Sequence, residues 1–345
     1  MNALSRFYYR LTRFEYWPFS IFYIPVYFYF TWLAIRHRSF FFFTASNPNI
    51  EFGGMLGESK KEIFDQIPAE YIPKTLLFDP GVTIKEIELH LRSSAIGYPL
   101  ICKPDIGERG WMVEKITDEK ELTLYLEKIK VPFLVQEFID YPIELGVFYI
   151  RRPSKKTGEI TSLVRKEFLS VTGDGTSSVR ELLYENRRAE LNFNFSSAFH
   201  RSLLDHIPKK NEKFIVEPIG NHCRGTSFFD ESENISTKLV RQFDKIAQRI
   251  PEFYFGRFDL RCRSMAELEE GKHFSILELN GAGSEPGHIY QPGYPILKAY
   301  GEIMRHLRLL GEISRENKNN GHKFWTIGEG LRKLRQINRY NRTKD

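Results

Sequence analysis

The N-terminal part of the chain contains one uninterrupted apolar segment, residues 16–35. It carries no charge, about half of its residues are Phe, Tyr or Trp, and basic residues flank both ends. A helix over this segment would be long enough to reach across the hydrocarbon layer of a bilayer. Three interpretations stay open: a buried core helix, a single transmembrane helix, or an interfacial or re-entrant anchor, a setting that suits Tyr and Trp.

The next stretches have shorter patterns. Pro18 suits the first turn of a helix, whereas Pro25 is expected to kink a helix in its middle. The apolar run 39–47 predicts a buried strand that ends in a turn. A short helix is expected up to about Gln66, and the spacing of apolar residues predicts another helix over 83–96.

Beyond this point, apolar strand-like stretches alternate with amphipathic helical stretches to about residue 310, which predicts a mixed α/β (α+β) class. We therefore expect four parts along the chain. They are an aromatic N-terminal segment (1–38), a short connecting region (39–80), the main domain (81–310) and a basic C-terminal helix and tail (311–345).

Composition narrows the class of protein. Of the 345 residues, 41% are hydrophobic and 27% are charged, which excludes a disordered chain and a polytopic membrane protein. The net charge of +6 permits an anionic partner without identifying one. Cys102, Cys223 and Cys262 have no CxxC spacing, so we expect neither a disulfide framework nor a structural zinc site, and we expect a reducing, cytoplasmic compartment.

Two stretches carry residues suited to nucleotide chemistry. Lys103 ends a short apolar strand before a loop with Gly107 and Gly110, where a lysine can meet phosphate oxygens; an ordinary hairpin is the alternative. A second strand ends in a polar and acidic hinge whose backbone could read an adenine edge, and Glu144 beyond it could accept from ribose hydroxyls. The hinge residues are Gln136, Glu137, Phe138 and Ile139.

The most informative signal comes from two later strands. Because side chains alternate along a strand, Arg257 and Asp259 share one face, and so do Glu278 and Asn280. If the strands are neighbours, they offer Asp259, Glu278 and Asn280 as oxygen ligands of the kind Mg²⁺ takes. Arg257 beside them could neutralise charge on a transferring phosphoryl group. A salt-bridged polar sheet face is the alternative.

The order of these pieces resembles the ATP-grasp superfamily of carboxylate–amine ligases over roughly residues 70–310. The GRFD and LELN sequences are similar to the GRxD and LExN of D-alanine–D-alanine ligases. The TGDGT sequence and the loop 221–226 look closer to the branch of cyanophycin synthetase and the RimK-like glutamate ligases. The phosphate loop lacks the serine-rich form of the D-alanine ligases, and the stretch before residue 70 is too short for their N-terminal domain.

The resemblance implies an ATP-grasp fold in which two α+β subdomains clasp ATP. It implies that Lys103 and Lys166 hold the phosphates beneath a closing loop at 104–110. The hinge would line the adenine, and Glu144 would bind the ribose.

The resemblance also implies a reaction centre. The Mg²⁺ ligands, for one or two ions, would be Asp259, Glu278 and Asn280. Arg257 and Lys166 would act on the acyl-phosphate transition state, while Arg224 and the loop 284–288 would face the substrate.

The expected function is ATP- and Mg²⁺-dependent formation of an amide or peptide bond through an acyl phosphate. Together with the aromatic segment 1–38, it predicts small-molecule or lipid-linked carboxylate and amine substrates at the inner face of a membrane. The alternative is an ATP-binding sensor or scaffold that does not ligate. We assign the basic C-terminus to a solvated tail rather than to nucleic-acid binding, and the resemblance implies a homodimer.

Overall fold

The computed structural model describes residues 13–108, 110–185, 201–217, 220 and 225–344. The helices in these parts are α1 (Phe19–Phe22), α2 (Ile24–His37), α3 (Lys60–Phe64), α4 (Ile84–Ser93), α5 (Glu119–Lys128), α6 (Val179–Glu185), α7 (Arg201–Leu204), α8 (Thr237–Ala247), α9 (Met265–Glu269), α10 (Ile296–Asn319) and α11 (Ile327–Arg342). The strands are β1 (Thr75–Phe78), β2 (Leu100–Pro104), β3 (Glu114–Ile116), β4 (Phe133–Glu137), β5 (Ile143–Ile150), β6 (Glu159–Glu167), β7 (Ser170–Thr172), β8 (Lys213–Ile215), β9 (Ser227–Asp230), β10 (Phe255–Cys262) and β11 (Phe274–Asn280).

A four-stranded antiparallel sheet, in the order β1-β4-β2-β3, forms one half of the main body. Its core includes residues of α4 and α5. α4 begins at a capping box in which the Thr83 side chain accepts from Glu86 N–H while the Glu86 carboxylate accepts from Thr83 N–H. The predicted helix over 83–96 is therefore confirmed, and it buries Ile87 and Leu91. Truncating such a buried leucine to alanine costs about 2–5 kcal/mol.

A five-stranded antiparallel sheet, in the order β11-β10-β5-β6-β9, forms the other half. Phe258 on β10 packs edge-on against Phe243 of α8, with ring centroids 5.3 Å apart. Because Phe258 and Leu279 both join this core, the residues on either side of them lie on the opposite sheet face. The predicted mixed α/β class is confirmed, with antiparallel sheets.

The apolar segment 16–35 is two helices rather than one. α1 and α2 are separated at Tyr23, and Pro18 is the N-cap residue of α1. The kink expected at Pro25 takes the form of a break before it, because α1 ends at Phe22 and Pro25 lies in the first turn of α2. There its missing N–H has no intrahelical partner to lose. Among the described residues, no helix is long and apolar enough to cross a membrane.

One side of α2 is buried and the other is exposed. Leu33 and Ala34 belong to a core cluster that also contains Leu310 and Ile313 of α10. On the outer side, Phe28 is 75% exposed. For the three interpretations of segment 16–35, the outcome is mixed. The segment packs partly in the core, and it also has a large exposed apolar face.

The buried strand expected over 39–47 is wrong. Residues Phe42–Ala45 form a 3₁₀ helix, in which Ser46 N–H donates to the Phe43 carbonyl at 3.0 Å. A short apolar run does not distinguish a strand from a buried helical turn, and here three consecutive phenylalanines pack in different directions. The segment is held by the buried side chain of Asn47. That amide accepts from Tyr254 and Phe255 N–H at 2.9 and 3.0 Å and donates to the Phe255 carbonyl at 2.8 Å.

Candidate active site

Most of the residues predicted for the site line one cavity of about 1170 Å³. Its walls include strands of both large sheets. The predicted residues that line it are Lys103, Gly107, Gly110, Gln136, Glu137, Phe138, Ile139, Glu144, Lys166, Arg257, Asp259, Glu278 and Asn280. Arg224, predicted to face the substrate, lies outside the described residues, as does Arg109 of the glycine loop.

Lys103 connects the two sheets. It extends from β2, and its ammonium donates to Gln136 Oε1 and to the Leu277 carbonyl of β11, both at 3.0 Å. Gln136 is oriented in turn by a 2.8 Å bond to Thr75 Oγ1. Burial lowers the pKa of Lys103 to about 8. Lys103 is thus a buried lysine that is held between the two sheets, and its charge changes near pH 8.

The glycine loop is tethered by two residues that sequence reasoning missed. Lys60 Nζ, at the start of α3, donates to the Gly107 carbonyl at 2.7 Å. Tyr340 of α11 donates its hydroxyl to the Ile106 carbonyl, also at 2.7 Å. The GESK sequence places Lys60 at the first position of α3, but the role of Lys60 depends on a contact with a loop far along the chain.

Two positively charged side chains contact the hinge after β4. The Phe138 ring lies between Lys115, whose Nζ is 4.0 Å from the ring centroid, and Arg261, whose Cζ is 5.5 Å away. Arg261 also donates to the Ile139 carbonyl at 2.9 Å. Sequence reasoning did not single out Arg261, although the alternation that puts Arg257 and Asp259 on one face of β10 puts it there too.

A buried ion-pair network connects the middle strands of the five-stranded sheet. Glu144 accepts from Lys166 Nζ at 3.2 Å and from Arg261 Nε at 3.0 Å. Lys166 also lies 3.0 Å from Asp259 Oδ1. Burial pulls the pKa of Lys166 down, but Asp259 and Glu144 together raise it above its usual value. Lys166 is therefore a fixed positive charge, and Glu144, predicted to bind ribose, has both carboxylate oxygens in ion pairs.

The predicted magnesium ligands come together on one face of the sheet. Asp259 stands opposite Glu278, and Arg257 stands opposite Asn280, in the antiparallel pairing of β10 with β11. The Asn280 amide donates to Asp259 Oδ2 at 3.0 Å, so its carbonyl oxygen is the atom left to ligate. The Glu278 side chain is 37% exposed, within the cavity.

These residues fit a magnesium ion by the chemistry of their donors. Two carboxylates and an amide oxygen are hard ligands, and Mg²⁺ usually completes its shell with water and phosphate oxygens. Within the described ranges, no group of three or more His, Cys, Asp or Glu side chains is arranged to hold a metal ion. Burial acts to raise the pKa of Asp259, but Arg257 and Lys166 hold it below its usual value.

The loop after β11 closes this end of the site. Arg257 donates to the Glu285 carbonyl at 3.2 Å and pairs with Asp259 Oδ2 at 3.0 Å. The Glu285 carboxylate accepts from the Tyr290 hydroxyl. Burial raises the pKa of Glu285 to about 7. Within the predicted loop 284–288, sequence reasoning had no basis for choosing this residue.

Glycines in two segments of the chain explain the tight packing beside this loop. Ala282 N–H donates to the Gly53 carbonyl at 3.0 Å, and Gly283 N–H donates to the Gly54 carbonyl at 2.9 Å. A Cβ atom on Gly54 would lie 2.7 Å from the Gly281 Cα. Only glycine permits the two backbones to approach so closely.

Comparison with known proteins gives a fold-level likeness only. No family model matches the sequence, and no curated protein is similar to it. VanG D-Ala:D-Ser ligase from Enterococcus faecalis has a TM-score of 0.43 and 16% identity, over 75% of this chain and 62% of that one. D-alanine–D-alanine ligase from Bacillus anthracis has a TM-score of 0.43 and 13% identity, over 76% and 69%. This chain thus spans less than two-thirds of the VanG ligase.

Proposed function

We propose that this protein is an ATP- and Mg²⁺-dependent ligase that joins a carboxylate to an amine through an acyl phosphate. The observation that carries the proposal is the convergence of Lys103 and Lys166, from different sheets, on the cavity lined by Asp259 and Glu278. Two lysines and an oxygen-donor metal site in one cleft suit a triphosphate and its cation.

The nucleotide would lie with its adenine at the hinge and its phosphates at the two lysines. The backbone of the hinge offers hydrogen-bonding groups to the base edge. Glu144 remains oriented by Arg261 when a ribose hydroxyl shares its carboxylate. The glycine loop, tethered through Gly107, would cover the phosphates and exclude water, which the acyl phosphate requires because it hydrolyses readily.

The reaction would proceed in two displacements. A carboxylate oxygen of the substrate attacks the γ-phosphorus, and ADP leaves; the amine nitrogen then attacks the acyl carbon, and phosphate leaves. Mg²⁺, when bound, neutralises charge on the phosphates. Arg257 and Lys166 are fixed by Asp259 beside the transferring group, so they stabilise its charge without rearranging.

The test is Mg²⁺-dependent release of ADP over a panel of acids paired with amines. Glu278→Gln should lower the stimulated rate by at least about 100-fold, because a charge at the metal site is lost. Glu270→Gln, an exposed acid paired only with Lys272 among the contacts described, is the matched control and should keep the full rate. ATP binding without stimulated ADP release across the whole panel would instead favour a sensor or scaffold.

We further propose that the protein works against an anionic bilayer surface. On the outer side of α2, Phe28, Trp32 and Ile35 are 75%, 47% and 72% exposed, a run of apolar residues that water covers poorly. Arg36 stacks over Trp32 at 5.3 Å, and Arg38 follows it, so positive charge borders the apolar face. Such a border is attracted to anionic lipid headgroups. Co-sedimentation with anionic vesicles, but not with zwitterionic ones, would support this.

A further inference from the structure

The cavity does not end at the phosphate and metal residues. It continues into a space that we term the aromatic chamber, whose walls include Trp17, Phe22, Tyr23, Val26, Tyr27 and Ile303. Drug-sized ligands occupy pockets of roughly 300–1,000 Å³, and the whole cavity exceeds that range. A nucleotide and a small polar acid would leave the apolar part without an occupant.

The chamber joins the polar site at one residue pair. Tyr290 packs its ring against the cluster that contains Phe22, Tyr23, Val26 and Ile303, while its hydroxyl donates to the Glu285 carboxylate. The backbone carbonyl of Glu285 accepts from Arg257, the residue placed at the transferring phosphoryl group. Glu285 therefore stands at the boundary between the reacting centre and the apolar walls.

The chamber reaches the protein surface at aromatic side chains. Phe19, Tyr27 and Phe40 line the cavity, yet they are 45%, 52% and 55% exposed. Deeper in the chamber, Phe22 and Val26 are each only 4% exposed. The walls of the chamber thus include both exposed and buried aromatic or aliphatic side chains.

We propose that the amine substrate of the ligase is an amphiphile, whose amino group binds the Glu285 carboxylate and whose apolar chain lies in the aromatic chamber. This inference rests on the proposed ligase function and names the class of its acceptor. A carboxylate at the junction selects an amine rather than a second acid, and the aromatic walls select a hydrocarbon chain over a polar substituent.

The position of Glu285 also accounts for the proton that must leave the amine. The ammonium gives one proton to the Glu285 carboxylate, and the free nitrogen pair then attacks the acyl carbon. The C–N bond forms as the C–O bond to phosphate breaks, and the second N–H proton leaves with the released phosphate or to water. The raised pKa of Glu285, a result of burial, suits a group that takes and returns a proton near neutral pH.

The first experiment measures binding of n-alkylamines from two to twelve carbons to the whole protein saturated with Mg²⁺ and a non-hydrolysable ATP analogue. Each methylene that enters the chamber should tighten binding by up to about fourfold, the value for complete burial. Alkanols and alkanoates of equal length are the comparison ligands. Amines should bind more tightly than both, and a preference for alkanoates would overturn the assignment of the amine.

Matched variants locate the two halves of the ligand. Glu285→Gln keeps the shape of the side chain and should weaken dodecylamine more than tenfold while leaving dodecanol and nucleotide binding unchanged. Tyr27→Ala, in the wall, should flatten the dependence on chain length. Phe28→Ala removes the neighbouring exposed ring, which does not line the cavity, and should leave that dependence intact. Equal flattening in both variants would place the chain on the outer surface and overturn the proposal.

The outcomes separate this inference from the ligase proposal. ADP release that is stimulated equally by ethylamine and by long-chain amines would leave the ligase standing and overturn the amphiphilic acceptor. Chain-dependent binding of amines that the Glu285→Gln variant weakens, with no ADP release for any acid, would overturn the ligase and leave an amphiphile-binding site.

Discussion

The polar end and the aromatic end of the cavity are built in different ways. The polar end draws its residues from six strands, β2, β4, β5, β6, β10 and β11, and strand register and ion pairs fix them. The aromatic end comes largely from one continuous stretch of chain, α1 and α2, packed on α10. The polar end therefore depends on which polar and charged atoms its side chains carry, whereas the aromatic end depends on how well its side chains fill the available volume. Isosteric changes should therefore harm the polar end, and only changes of size should harm the aromatic end.

The largest effect is expected from an isosteric change at the polar end. Asp259→Asn leaves Lys166 and Arg257 without their shared counter-charge in a buried site. Breaking a buried ion pair on one side costs about 3–5 kcal/mol, and we expect that loss in urea unfolding together with loss of ADP release. A variant that unfolds like the original protein would show that the network is not the fixed frame described here.

The corresponding test among the aromatic residues concerns side-chain volume. Phe42 is fully buried among Phe30, His37 and Phe43. Phe42→Ala should lower the free energy of unfolding by about 3–5 kcal/mol, because it opens a cavity. Phe42→Leu should retain more of the stability than Phe42→Ala, because it leaves a much smaller cavity. Equal losses in the two variants would contradict the contrast.

A pH effect is expected from His306, which lines the cavity. Burial lowers its pKa from 6.5 to about 4, while its ring nitrogens contact Thr161 Oγ1 and the Glu302 carbonyl. The unfolded chain binds the proton first, so this contribution is present above pH 6.5 and is lost as the pH falls toward 4. The loss in unfolding free energy should be on the order of 3 kcal/mol. Melting temperatures from pH 8 to 4 are compared between the original protein and His306→Gln, and the difference between their pH slopes measures this contribution.

A smaller effect concerns nucleotide binding. With the pKa of Lys103 near 8, the free protein loses this charge in more alkaline solution. The dissociation constant for ATP should then rise up to about tenfold per pH unit above 8, because the phosphates bind the charged lysine. Titrations with a non-hydrolysable analogue measure it. Lys103→Arg keeps its charge, so a slope that survives in this variant would point to another group.

The smallest effect on folding is expected at the exposed aromatic face. Phe28→Ser and Ile35→Ser should change the free energy of unfolding by less than about 0.5 kcal/mol, since both side chains are largely in water. Binding to anionic vesicles should nonetheless fall several-fold in co-sedimentation. Leu89→Ser, at a 67% exposed leucine of α4, is the control and should not affect vesicle binding.

The sequence predicted the parts of the polar end that depend on strand periodicity. The faces of β10 and β11 follow from alternation alone, whereas the register that pairs Asp259 with Glu278 comes from the structure. The sequence analysis did not select Lys60, Arg261 or Glu285, although alternation along β10 could have identified Arg261. Their roles arise from contacts made only when distant segments fold together, such as Lys60 with the Gly107 carbonyl.

The aromatic end was harder to predict because uniform apolarity has no period. The run 39–47 reads equally well as a strand or as a helical turn, and tertiary packing around Phe42 decided between them. The break between α1 and α2 likewise placed Pro25 in a first turn, where the sequence suggested a kink. Hydrophobic content shows that such a segment is buried or covered, but it does not specify its path.

The bond from Tyr340 to the Ile106 carbonyl has a consequence for communication across the molecule. This bond joins α11 to the loop expected to cover the nucleotide. Ordering of that loop and docking of the helix are therefore thermodynamically coupled, so that each favours the other. Thermodynamic reciprocity then requires that a nucleotide which orders the loop also protects the amides of α11 from hydrogen exchange. By the same coupling, any ligand that docks the helix more firmly will tighten the hold on ATP.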